Sequence, residues 1–147
     1  MNQNTQSIDD KIESLKQRCQ ELGMRVTNQR VEIFREVASS CEHPDAETVY
    51  ERVKQRLPNI SFDTVYRTLA SLEDMNMIFR VDNLLPKARF DADKRPHNHF
   101  LCIKCGEVYD IFPEDGYKIE IPENSKKFGE IKDVNLQVRG ICNKCRH

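Results

Sequence analysis

The stretch Leu57-Pro58-Asn59-Ile60-Ser61-Phe62-Asp63-Thr64-Val65-Tyr66-Arg67-Thr68-Leu69 decides the architecture of the first half of the chain. Pro58 ends the helix before it, because the residue preceding a proline avoids the α region. Asn59-Ile60 makes a short turn, and the Ser61 hydroxyl can cap a new helix. Val65, Leu69 and Leu72 recur at helical spacing as its inward face, with Asn76 near its end. Ser61, Thr64, Tyr66, Arg67 and Thr68 fall near its N-terminus. Such an end offers free N–H groups to phosphates, and its side chains can reach base edges in a major groove. Arg67 is a candidate for a bidentate pair with guanine, and Tyr66 for a thymine methyl or a phosphate. A merely solvated helix would carry the same polar face, so the neighbouring segments decide the matter.

Upstream, Ile8, Ile12, Leu15, Cys19 and Leu22 repeat at helical spacing between Ser7, an N-cap, and Gly23, a stop. Thr27 can cap a second helix with Val31, Phe34 and Val37 inward. After a break at Ser39–Pro44 comes a third, with Ala46, Val49, Tyr50, Val53 and Leu57 inward, ended by Pro58. Arg25 and Arg30, beside the second helix, are candidate phosphate contacts. Downstream, Met77–Asn83 and Lys87–Asp91 read as two short strands around Leu84–Pro86. Short helices, the last pair joined by a tight turn and followed by a hairpin, give the order of a winged helix-turn-helix, placed with its hinge at residues 1–90.

Residues 91–147 read differently. His97–Cys102 and Glu107–Phe112 are strand-like, Pro122–Gly129 suits a short helix, and Val134, Leu136 and Val138 alternate as in a strand. The fold class expected is α+β: a winged helix followed by a small α/β unit. A unit so small is expected to need metal and a partner subunit for stability.

Composition narrows the function. The chain has 147 residues, 38% hydrophobic and 32% charged, with a formal net charge of −1. No stretch approaches the roughly 18 apolar residues of a spanning helix. The N-terminal MNQNTQSIDDK has no apolar region of the secretory kind, so a cytoplasmic protein is expected. Residues 1–84 carry 11 Lys and Arg against 14 Asp and Glu, and residues 85–147 carry 12 against 10. Neither half has the basic excess of a non-specific nucleic-acid binder, so DNA binding must use a local patch on a specific fold.

Four of the six cysteines form two CxxC knuckles, Cys102-Ile-Lys-Cys105 and Cys142-Asn-Lys-Cys145. Four thiolates in a tetrahedron suit structural Zn²⁺. A thioredoxin-like redox pair would use one CxxC opening a helix, whereas Gly106 and a strand-like run follow here. The 36 residues between the knuckles exceed the usual ribbon spacing, so something folds between them. His97 and His99 lie i, i+2 on a strand and share one face. Asp91 and Asp110 flank them, with Asp93 and Asp115 as rival carboxylates, and His43 lies far upstream. Nitrogen and carboxylate donors together suit Fe²⁺ or Mn²⁺, with Zn²⁺ a competitor. Cys41, two residues from His43, is a further thiol; an isolated cysteine is usually a small apolar filler, as Cys19 is expected to be.

His43-Pro44-x-Ala46, Thr64-Val65-Tyr66-x-x-Leu69, Arg89-Phe90-Asp91, His97-x-His99-x-x-Cys102-x-x-Cys105-Gly106 and Cys142-x-x-Cys145 occur in this order. From about Gly23 to Cys145 the chain resembles the ferric uptake regulator (Fur) superfamily, and within it is most similar to the peroxide-sensing repressors. The resemblance implies a homodimeric, metal-dependent repressor on an inverted-repeat DNA operator, with residues 91–147 as its dimerisation and metal-binding domain. It implies a regulatory site of His43, Asp91, His97, His99 and Asp110 for Fe²⁺ or Mn²⁺. Asp91 is the discriminating position, since iron-uptake repressors tend to have Glu there. Peroxide would then oxidise His43 or His97 and release the operator. The alternatives are an iron- or manganese-responsive uptake repressor of the same fold, a zinc hydrolase using the His/Asp site, and a zinc-ribbon interaction module without DNA.

Overall fold

The computed structural model describes residues 6–81, 85, 87–113 and 119–146. The chain divides into two compact units between Asp93 and Lys94, three residues beyond the boundary expected from the sequence.

The first unit opens with α1 (Ile8–Glu21), where Ser7 and Asp10 exchange side-chain and backbone hydrogen bonds in a capping box. Thr27 caps α2 (Asn28–Ser39) through the Arg30 N–H. Asp45 caps α3 (Ala46–Lys54) through the Thr48 N–H, and Ser61 caps α4 (Phe62–Asp74) through the Thr64 N–H. Each cap satisfies an N–H that has no partner inside its helix. α3 ends at Lys54, before Pro58 is reached, so residues 55–61 form the connection to α4. Leu57 donates to the Val53 carbonyl there, at 2.9 Å.

α1 packs on α2, and α2, α3 and α4 pack on one another. Ile12, Leu15, Cys19, Ile33, Phe34, Val37, Val49, Val53, Val65, Leu69 and Leu72 close a continuous core. Leu22, expected on the inward face of α1, is exposed at its C-terminus. The hairpin is shorter than its sequence pattern: β1 (Phe79–Arg80) pairs antiparallel with β2 (Phe90–Asp91). The expected turn at Leu84–Pro86 falls largely outside the described residues.

In the second unit β3 (Asn98–Cys102) is the central strand, antiparallel to β4 (Val108–Ile111) and parallel to β5 (Gln137–Gly140). A 3₁₀ helix covers Glu123–Phe128. The strand expected from Val134 begins only at Gln137. Its register is set by pairing Gly140 with Cys102, which apolar alternation does not encode. Among the described residues of this unit, the buried apolar side chains are Leu101, Cys102, Val108 and Cys142.

Candidate metal centres and nucleic-acid interface

The parallel pairing of β3 and β5 delivers both knuckles to one end of the sheet. Cys102 ends β3, and Ile103 donates to the Gly140 carbonyl at 2.9 Å, just before Cys142. Gly140 allows this approach, because a Cβ there would lie 3.0 Å from the Phe100 ring. Gly106 turns the first knuckle in the left-handed region, at φ +76°. Each knuckle closes on itself: Gly106 N–H donates to the Cys102 carbonyl and Cys145 N–H to that of Cys142, both at 2.9 Å.

One sulfur from each of Cys102, Cys105, Cys142 and Cys145 lies within 4.8 Å of the others. The Cys105 and Cys142 sulfurs are 3.8 Å apart. That is the edge of a tetrahedron whose centre lies about 2.3 Å from each corner, the Zn–S distance. Lys104 and Glu107 buttress the knuckles through three further bonds that no sequence pattern signals. Lys104 Nζ donates to the Cys145 carbonyl at 3.2 Å. Glu107 accepts from the Tyr109 hydroxyl at 3.0 Å and from Lys144 Nζ at 3.2 Å.

The sulfurs are electrostatically unequal. Backbone N–H groups of Cys142, then Cys105 and Lys104, favour the Cys102 thiolate and bring its pKa down to about 6. The Cys142 and Cys105 side chains push Cys145 up to about 12. Cys105 is also raised: although the Glu107 N–H favours its thiolate, the Cys102 thiol and burial oppose it more. Four like charges cannot share this volume without a cation, so the donor set fits structural Zn²⁺. Because zinc binds thiolates, its uptake at pH 7 is expected to release at least the protons of Cys105 and Cys145. Zinc affinity should fall with acid, because protons compete with the metal for the thiolates. Zinc titration calorimetry in buffers of different ionisation enthalpy reads both; proton release near zero at pH 7 would contradict this order of charging.

The His and Asp candidates occupy both units. In the first, His43 Nε2 lies 3.3 Å from Asp91 Oδ2, and both residues are buried. The Asp93 N–H donates to Asp91 Oδ1 at 2.8 Å, which fixes the carboxylate plane. In the second, His99 opposes Asp110 across the β3–β4 ladder. His99 Nε2 lies 3.3 Å and His97 Nε2 3.6 Å from the same Asp110 Oδ1. The Arg95 carbonyl, 2.6 Å from His97 Nδ1, can only accept, so Nδ1 donates and Nε2 is the nitrogen left to a metal in the neutral ring. The two imidazoles meet edge to face at 4.7 Å. Each unit thus presents nitrogen and carboxylate donors of the kind that Fe²⁺ and Mn²⁺ accept. Asp115 lies outside the described residues. Cys41 is exposed, unlike the buried filler Cys19.

On α4, Tyr66 is 56% exposed beside an exposed Phe62, their ring centroids 6.4 Å apart. The Ser61 and Thr64 hydroxyls bond each other at 2.9 Å and are engaged in the cap. Arg67 pairs with Asp63 at 3.0 Å and must leave it to meet a base. Thr68 is half-buried. Arg25 is exposed, and its carbonyl accepts from the Arg30 guanidinium. Among the described residues, no helix is long and apolar enough to cross a membrane.

A model of the ferric uptake regulator family matches residues 21–139. The peroxide-responsive repressor PerR of Staphylococcus epidermidis is 28% identical over 147 residues, which cover 99% of this chain and 97% of that protein. A zinc-bound manganese uptake regulator is 30% identical, with a TM-score of 0.62 over 87% of this chain and 98% of that one. The Helicobacter pylori ferric uptake regulator, which has three functional metal-binding sites, shares the fold with a TM-score of 0.75, at 22% identity over 97% and 95% of the two chains. With a winged-helix order in the first unit, four converging cysteines in the second and a family match over most of its length, the chain belongs to the ferric uptake regulator family of metal-dependent repressors, which bind DNA as dimers and are not enzymes.

Proposed function

We propose that this repressor senses hydrogen peroxide through Fe²⁺ held by His43, Asp91, His97, His99 and Asp110, and leaves its operator when a ligand histidine is oxidised. The observation that carries the reading is the pairing of His43 with Asp91. A carboxylate one methylene shorter than Glu stands at the position where the peroxide-sensing and iron-uptake members differ. The likeness to a peroxide-responsive repressor along the whole chain supports it.

The ligands come from both units, so an ion bound by all five favours one angle between them. It thereby favours one spacing of the two α4 helices across a dimer, a population shift driven by differential affinity. In this reading the first unit binds an inverted-repeat operator through Tyr66, Arg67 and Thr68, with Ser61 and Thr64 shaping the start of α4. Arg25 and Arg30 meet phosphates, and the second unit dimerises, all in the cytoplasm. The exposed Ile103, Phe112, Phe128 and Ile141 of that unit are apolar surface of the kind a second copy would cover. Fe²⁺ held by these residues would supply the reducing chemistry that opens the O–O bond of peroxide. In the net change an imidazole C–H would become C–OH with one peroxide oxygen, and the other oxygen would leave as water.

The second reading, an iron- or manganese-responsive uptake repressor, draws on the likeness to a manganese uptake regulator. One experiment separates the two. The protein is loaded anaerobically with Fe²⁺ or with Mn²⁺, given a small excess of H₂O₂, and its peptides are weighed. A one-oxygen gain on the His43 or His97 peptide, in the iron sample only, is the expected result. Unmodified histidines in both samples would establish the uptake reading.

A further inference from the structure

His43 has φ +53°. That is the left-handed region, uncommon for a residue with a Cβ and in need of support from its neighbours. One extended segment gives that support: Arg89, which bridges Asp45, and the strand β2 that follows it. Arg89 Nε donates to the His43 carbonyl at 2.7 Å, and a second nitrogen of the same guanidinium donates to the Glu42 carbonyl. Phe90 N–H donates to the Pro44 carbonyl at 3.1 Å, and Asp45 and Arg89 form an antiparallel bridge. Arg89 and Asp91 stand i, i+2 and therefore project to one side of the strand. The strand thus takes hold of His43 twice, Arg89 by the backbone and Asp91 at the imidazole, 3.3 Å away. Phe90, between them, is anchored in the core.

We infer that Arg89 is the positioning residue of the regulatory metal centre: its guanidinium fork fixes the left-handed backbone at His43 and so aims the imidazole beside Asp91. Lysine cannot replace it, because a single ammonium on a flexible stem does not present the planar fork that spans two successive carbonyls. The inference rests on the proposed role of His43 as a ligand. It adds that the wing strand supplies both a ligand and the device that orients the next one.

The test uses the zinc-loaded full chain and Mn²⁺ as the probe, with free Mn²⁺ read by electron paramagnetic resonance. Arg89→Lys is expected to weaken Mn²⁺ binding about 10–100-fold, the usual cost of losing an orienting partner. Its zinc content and cooperative melting should stay as in the wild type. His43→Asn, which tolerates the left-handed backbone, is expected to lose more. The double variant should bind Mn²⁺ no more weakly than His43→Asn alone, because Arg89 acts through His43. A merely structural arginine would lower the melting temperature and leave this non-additivity absent. Arg89→Gln, whose amide reaches one carbonyl, serves as the second variant if the lysine variant melts early. Wild-type affinity in folded Arg89 variants, or additive losses in the double variant, overturns the inference alone. Wild-type affinity in His43→Asn overturns the ligand assignment and the inference with it.

Discussion

Cys102→Ser is expected to strip the zinc and unfold the second unit while leaving the first folded. Among its described residues that unit buries four apolar side chains, Leu101, Cys102, Val108 and Cys142, and two of these are zinc ligands. The metal therefore replaces most of the core a unit of this size would otherwise need. Structural zinc contributes about 10–16 kcal/mol of apparent binding free energy at neutral pH, as much as the whole stability of a typical domain. Losing one thiolate removes most of that, and no apolar core remains to hold the sheet. The first unit has its own closed core, so helical circular dichroism should persist and still melt cooperatively. Zinc should fall from about one per chain to near zero, and size exclusion should show loss of the dimer. Cys19→Ser is the matched control, since it alters a buried thiol of the first unit and should keep its zinc. A stable, zinc-free Cys102→Ser dimer would refute the account.

His43→Ala is expected to do the opposite, giving a folded, zinc-loaded dimer that Fe²⁺ and Mn²⁺ no longer activate for DNA binding. Losing a ligand should weaken the regulatory metal by more than the ~10–100-fold that loss of an orienting partner costs. Moving a two-state protein from 1:99 to 99:1 takes a differential affinity of about 10⁴-fold. A weakened ion therefore loses the repressing conformation altogether rather than in proportion. His43→Asn belongs beside the alanine variant, because asparagine accepts the backbone at φ +53° with little strain. Fluorescence anisotropy with an inverted-repeat duplex, at saturating Mn²⁺ and without it, reads the effect. Metal-stimulated binding as strong as the wild type in both variants would remove His43 from the regulatory site.

The helices were legible because their signals are local. Ser7, Thr27 and Ser61 stand where the caps form, and 3.6-residue spacing marks the faces that close the core. The knuckles were legible because thiol chemistry restricts what two CxxC pairs can do. What stayed hidden depends on partners distant in sequence. β5 pairs with β3 from Gln137 to Gly140, where the Phe100 ring leaves room for no Cβ, and the alternation of Val134, Leu136 and Val138 does not encode that register. The grip of Arg89 on residues 42–43 joins a side chain to carbonyls some 46 positions away, and no periodicity announces such a bond. The pairing of Arg67 with Asp63 lies within sequence reach, since opposite charges one helical turn apart meet on the helix surface.

The parallel pairing of β3 with β5 also governs when the second unit can come into being. Its central strand is made early, yet one neighbouring strand and half of its thiolates arrive only once synthesis has passed Cys145. Until then β3 and β4 are a lone hairpin with an open edge, marginal in water by itself and exposed to wrong pairings. Contacts so distant in sequence also form slowly. The helical unit, built from near-neighbour contacts, can fold while this one waits. The helical core of the first unit can therefore form before the metal centre of the second, and zinc supply once Cys145 has emerged decides how long that interval lasts.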